Sequence, residues 1–172
     1  PGQWAYSAAE RRVEQRSQIR GGPSTNSSPI KAGTYLALRS DAGRPPLRDF
    51  TLRATLRSDS DGGLGLVFRW QDVDNFYFVL LERQRNYRTI GRKVGGVFEA
   101  LATPALDTTQ SFTANTPFDL VLDVAGDTFR LFFNASLALT GQDTRLPGPG
   151  RVGFMARNNN RAFFSSLEVL QS

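Results

Sequence analysis

Cysteine and histidine are both missing from the 172 residues, and of the 21 basic residues only Lys31 and Lys93 are lysine. Without cysteine there is no disulfide, no thiolate metal site and no cysteine nucleophile. Without histidine the chain lacks the commonest general base and the commonest zinc ligand, and a serine–histidine triad is excluded. No apolar run approaches the roughly 20 residues that a membrane-spanning helix needs. No basic plus apolar leader precedes Pro1, so a processed form, or a domain cut from a longer protein, is expected. Acidic residues number 16, leaving a net charge of +5 carried almost wholly by arginine. Guanidinium groups bind carboxylate, sulfate and phosphate in a bidentate fashion, so acidic glycans and nucleic acids are the partner classes that composition leaves open, beside a plain solvated surface.

What is present is one repeated theme, short alternating runs bounded by Gly, Pro, Asn and Asp. The pattern predicts strands at 34–39, 50–58, 65–70, 76–83, 87–94, 97–102, 118–124, 128–133, 151–156 and 163–169. In FTLRATLRS, Phe50, Leu52, Ala54 and Leu56 face one way while Thr51, Arg53, Thr55 and Arg57 face the other. Phe118, Leu120 and Leu122 form a second inward row, and Phe129, Leu131 and Phe133 a third, returned by a turn at 125–127. About ten such strands cannot cover their apolar faces in one open sheet, so the expected fold is all-β, a two-sheet antiparallel β-sandwich in one domain spanning 1–172. Residues 1–28 are expected to be irregular, since 7–20 lacks an apolar stripe and GGPSTNSS at 21–28 reads as a loop.

Catalytic patterns are scarce. Glu10, Glu14, Glu82, Glu99 and Glu168 are scattered instead of being set on one strand at the close spacing of a glycosidase pair. Two acidic turns are candidates for calcium: Asp59 and Asp61 in SDSDGG, and Asp72 and Asp74 in QDVDN. Neither continues as an EF-hand, and ordinary turn chemistry also accounts for both. If the QDVDN hairpin pairs Arg69 with Tyr77, then Leu66, Phe68, Phe78 and Leu80 share the core side. Arg69, Tyr77, Arg88 and Arg92 then form an exposed strip, able to grip carboxylate or sulfate and stack a sugar ring. A slip of one residue would scatter it. No helix-turn-helix, zinc finger or RNA-binding aromatic signature is present, which argues against nucleic acid. The triplets at 26–28 and 134–136 match the N-glycosylation pattern.

The runs GLGLVFRWQDVDNFYFVLLERQ, NYRTIGRKVGGV and GRVGFMARNNNRAFFSSLEV resemble the concanavalin A-like or laminin G-like jelly-roll superfamily. Within it the pattern is similar to the carboxy-terminal L-type-lectin-like domain of thrombospondins and to bacterial extracellular domains of the same layout, over most of the chain from Gly33 onward. The resemblance implies two curved antiparallel sheets, one concave, with the termini close together. It implies an extracellular or cell-surface setting and a lectin-like or adhesion role. Relatives hold calcium beside such loops, commonly with an Asp on the final strand where this chain has Ser166. The expected function is a non-catalytic glycan-binding or adhesion module, with acidic glycans as ligand class. A structural domain meeting a protein partner is the first alternative, and a polysaccharide hydrolase or lyase the second.

Overall fold

A computed structural model of the chain describes residues 2–20, 30–40 and 45–172. Fourteen strands follow one another in it: β1 Trp4–Ser7, β2 Arg12–Gln15, β3 Thr34–Ala37, β4 Phe50–Ser58, β5 Gly63–Asp72, β6 Asn75–Glu82, β7 Tyr87–Val94, β8 Val97–Ala100, β9 Ala102–Thr103, β10 Phe118–Ala125, β11 Thr128–Phe133, β12 Ser136–Gln142, β13 Arg151–Arg157 and β14 Ala162–Gln171. They form two antiparallel sheets, an eight-stranded one in the order β1-β2-β14-β4-β10-β11-β12-β9 and a six-stranded one in the order β3-β13-β5-β6-β7-β8. The fold is the expected all-β sandwich. Residues 2–20 carry a hairpin, β1 with β2, that extends the eight-stranded sheet beyond β14. The expected irregular loop at 21–28, with its glycosylation triplet, lies outside the described residues.

The eight-stranded sheet follows its alternation. Phe50, Leu52, Ala54 and Leu56 of β4 are buried, as are Phe118, Leu120, Leu122 and Val124 of β10. Cross-strand pairing sets Leu52 beside Leu122 and Leu131 beside Leu122, so the inward rows meet as one apolar layer. Its outer face is polar: Thr51 donates to Asp123 and Thr55 to Asp119, at 3.0 and 2.6 Å.

The six-stranded sheet departs from the sequence reading. Phe68, not Arg69, pairs with Tyr77, and the register shifts between Phe68 and Asp72. Arg69 sits in that bulge at φ +44°, a left-handed conformation uncommon for a residue with a side chain. The one-residue difference turns β6 over. Tyr77, Val79 and Leu81 join Leu64, Leu66 and Phe68 in the core between the sheets, while Phe76, Phe78 and Leu80 join Val67, Trp70, Tyr87 and Met155 in a second apolar cluster on the sheet's other face. Ile30, four residues before the edge strand β3, belongs to this second cluster, and Tyr35, Phe98 and Leu106 pack against it. A sheet buried on both faces needs apolar residues at odd and even positions alike, so NFYFVLLE is buried from Phe76 to Glu82 and alternation there carries no information about which way a residue points.

The termini are not close together. Trp4 lies across β2 from Ala162, whereas β14 continues to Gln171. Those further residues, at about 3.3 Å each, put the two ends at opposite ends of the sheet, on the order of 30 Å apart.

Candidate ligand-binding site

At one end of the six-stranded sheet, on the face turned away from the core, Glu82 closes β6, Tyr87 opens β7 and Arg157 closes β13. Pairing explains the juxtaposition. Glu82 lies directly opposite Tyr87 on one side and Gly63 on the other, and Gly63 in turn lies opposite Arg157. Because Gly63 has no side chain, Arg157 reaches across β5 and its Nη1 donates to Glu82 Oε2 at 3.0 Å. A Cβ on Gly63 would stand 3.0 Å from that carboxylate oxygen and 3.0 Å from Leu80 Cδ1.

All three residues are buried, Glu82 at 0%, Tyr87 at 1% and Arg157 at 7% exposure. Yet Glu82 Oε1, Tyr87 Oη and Arg157 Nε have no protein hydrogen-bond partner among the described residues. A buried polar atom without a partner costs about 1–3 kcal/mol, so three in one cluster is an unusual concentration. Chemically they differ: one acceptor, one N–H donor and one hydroxyl that does both. Burial raises the pKa of Glu82, with the Arg157 charge and hydrogen bond acting against it. Burial likewise pushes the Tyr87 phenol up, reinforced by the Glu82 charge.

Amide side chains next to this cluster in the chain are linked to one another. Asn158, next to Arg157 and held at φ +48°, accepts from Gln18 at 3.1 Å and donates to Gln84 at 3.4 Å. The Gln84 N–H in turn donates to Asp61 O at 2.6 Å, which ties the β6–β7 turn to the β4–β5 turn. At the other end of the same face Trp70 stacks on Phe76 at 4.6 Å, with Tyr35 against both rings. Lys93 reaches over Phe98 at 5.3 Å and bonds Asp74 at 3.0 Å.

The residues singled out from sequence fall elsewhere. Arg69 is wholly buried; it donates to the carbonyl oxygens of Arg48, Leu146 and Gly126 at 3.1, 3.4 and 2.5 Å and meets Asp49 at 3.5 Å. Its expected exposure on a wet face is therefore corrected: the bulge points it into the junction of three loops, where it is the donor for carbonyls that the strands leave unpaired. Tyr77 is also buried, its hydroxyl donating to Asp143 at 2.8 Å and accepting from the Leu146 N–H at 2.9 Å. Burial raises its pKa to about 12. Arg88 and Arg92 pair with Leu81 and Tyr77. Their face, however, is the inner one. Arg88 forms a two-point contact with Asp107 at 2.7 and 3.0 Å, and Arg92 pairs with Glu99 at 2.5 Å and with Asp143. Three of the four thus share a face without forming an open strip, and Arg69 is apart from them.

The acidic turns lie at opposite ends of β5. Asp59 bonds Arg57 and Arg161 at 3.2 and 3.1 Å, while Asp72 accepts from the Asp74 N–H and the Asn75 amide at 2.8 and 2.9 Å. Those hydrogen bonds hold Asp72 below its usual carboxylate range. No group of three or more acidic, histidine or cysteine side chains among the described residues is placed to hold a metal ion. No helix among them is long and apolar enough to cross a membrane. Glu82, Tyr87 and Arg157 were not singled out from sequence, because the only signal for them is a charge at the end of an otherwise apolar strand.

No protein-family model and no curated protein matches the sequence. Among solved structures the chain is similar to the carbohydrate binding module CBM66 from Bacillus subtilis, with a TM-score of 0.79 and 17% identity over 99% of this chain and 92% of that one. It is also similar to the galectin LEC-6 of Caenorhabditis elegans, with a TM-score of 0.57 and 14% identity over 81% of this chain and 91% of that one. Congerin II, in a double mutant, aligns at a TM-score of 0.60 and 11% identity over 79% of this chain and 99% of that one. At these identities the likeness establishes a shared architecture, the two-sheet sandwich, across nearly the whole chain.

Proposed function

We propose that the chain is a non-catalytic carbohydrate-binding module whose ligand hydroxyls enter the Glu82–Tyr87–Arg157 cluster beside the linked Gln18–Asn158–Gln84 amides. The observation that carries this reading is the trio of buried polar atoms without hydrogen-bond partners among the described residues. A sugar hydroxyl both donates and accepts, so two adjacent hydroxyls satisfy a carboxylate oxygen, a guanidinium N–H and a phenol together. Alignment with a carbohydrate-binding module over 99% of the chain supports the same class. Glu82 with Arg157 is a neutral pair, which favours a neutral polyol over an acidic glycan. Acidic groups directed to Arg88 or Arg92 would have to displace Asp107, Asp143 and Glu99. A single carboxylate locked to a guanidinium is a poor general acid–base pair, which supports binding over hydrolysis.

A panel of neutral and acidic oligosaccharides titrated calorimetrically against the protein, Tyr87→Phe and Gln84→Ala is the test. Neutral sugars that bind the parent and lose about tenfold in each variant, one hydrogen bond's worth, uphold the reading. Binding confined to acidic glycans and abolished by Arg92→Ala would return the site to the arginines. Silence across the panel would favour a protein partner, and release of reducing ends would make the protein an enzyme.

A further inference from the structure

The Glu82 carboxylate is bonded on one side only. Its Oε2 accepts from Arg157 Nη1 at 3.0 Å, while its Oε1 has no hydrogen-bond partner among the described residues. Few charged or titratable groups face it. Tyr87 stands opposite on β7, Gly63 stands opposite on β5 with no side chain, and Arg157 of β13 reaches over that gap. From the turns on either side, Arg85 and Asp61 act on it through their charges, with opposite sign. Glu82 itself is 0% exposed, so bulk water does not stand in for the missing partner.

A proton taken up here changes what the cluster offers. Oε2 already receives an N–H, which leaves the bare Oε1 to carry the proton. The carboxylate form presents an acceptor at Oε1 beside the donor at Arg157 Nε; the acid form presents donors at both. A sugar hydroxyl can turn to meet a donor, but it then exchanges a charge-assisted bond for a neutral one of about half the strength. Protonation also leaves the buried Arg157 guanidinium without its counter-charge. Burial of Glu82 works to bring this change nearer to neutral pH than for an exposed glutamate, against the pull of Arg157.

We propose, resting on the sugar reading above, that the cluster holds its ligand firmly only while Glu82 is a carboxylate, so that one proton at Oε1 loosens it. The difference is about tenfold in affinity, the gap between a charge-assisted and a neutral hydrogen bond. By linkage, bound sugar lowers the pH at which Glu82 titrates by about one unit. The chain has five glutamates, Glu10, Glu14, Glu82, Glu99 and Glu168, so NMR of isotope-labelled glutamate carboxyls resolves Glu82 among few signals. Glu82→Gln identifies its signal by removing it, and Glu82→Asp does the same if the amide fails to fold. The intact chain is titrated from about pH 4 to 8, first alone and then saturated with the neutral oligosaccharide that binds most tightly in the panel above. On saturation the Glu82 midpoint should fall by about one unit while the other glutamates stay in place, and calorimetry should give an affinity about tenfold weaker on the acid side of that midpoint. A Glu82 midpoint indifferent to bound sugar, or an affinity level across it, would overturn the proton link and leave the sugar reading standing. A panel in which no neutral sugar binds would remove both.

Discussion

Tyr77 and Tyr87 are both buried tyrosines of the same sheet, yet removing one oxygen from each should have opposite consequences. The Tyr77 hydroxyl has two protein partners, the Asp143 carboxylate and the Leu146 N–H. Tyr77→Phe forfeits a charge-assisted bond and leaves a buried N–H unmet, which costs about 3 kcal/mol. In a chain of this length that is a fall in Tm of roughly 6–12 °C. The Tyr87 hydroxyl has no hydrogen-bond partner among the described residues, and Tyr87→Phe keeps the ring. Its stability should stay level or rise by up to about 1 kcal/mol, because the cost of holding an unmet hydroxyl disappears. Urea and thermal unfolding of the two variants side by side, without sugar, measure the contrast directly. A Tyr87→Phe protein destabilised as far as Tyr77→Phe would show that the hydroxyl is bonded within the protein, and the basis for placing a sugar there would be gone.

Arg69→Met should cost about 3–5 kcal/mol, since it strips three carbonyl oxygens and Asp49 of their shared buried donor; the urea midpoint reports it. Gly63→Ala forces a methyl against Glu82 Oε2 and Leu80, for a loss of about 1–3 kcal/mol together with weakened sugar binding in calorimetry. Burial works to raise the Asp107 pKa, but the Thr109 and Arg88 hydrogen bonds outweigh it and hold the carboxyl below its usual range. Stability from this group is therefore complete above the unfolded aspartate value, about 3.9, and is lost as pH falls through the lower folded value, so Asp107→Asn should flatten the acid limb of urea midpoints plotted against pH. Glu82 runs the other way. Its raised folded pKa makes its contribution largest below the unfolded glutamate value, about 4.3, and lost as pH rises through the folded one, a slope that Glu82→Gln should remove.

Alternation made the eight-stranded sheet legible, because Thr51, Arg53 and Thr55 face water while Phe50, Leu52 and Ala54 do not. The same rule failed in β5 and β6, where both faces are covered and Phe68, Phe76 and Phe78 are equally suited to either. With patterning silent, register rested on the bulge at Arg69, and a positive φ on an arginine leaves no mark in sequence. Arg88 and Arg92 do share the face of Tyr77, paired with Leu81 and Tyr77 across the second hairpin, but that face was taken as the outer one from the mistaken register of the first. The strand at Ser136–Gln142 and the β1–β2 hairpin escaped notice because their apolar residues are few and short-spaced. The Glu82 site needed Gly63 and Arg157 to come together from strands 94 positions apart in sequence, which no linear pattern exposes. The expected thrombospondin-like identity finds no support beyond the shared sandwich.

The placement of the two ends at opposite extremes of the eight-stranded sheet has a mechanical consequence. Tension applied between them runs lengthwise along β1, β2 and β14 instead of peeling an edge strand away. Many backbone bonds, including the long β14–β4 ladder, then share the load at once and rupture must be collective. Such a domain resists stretching along its strands and yields readily only to force applied across them.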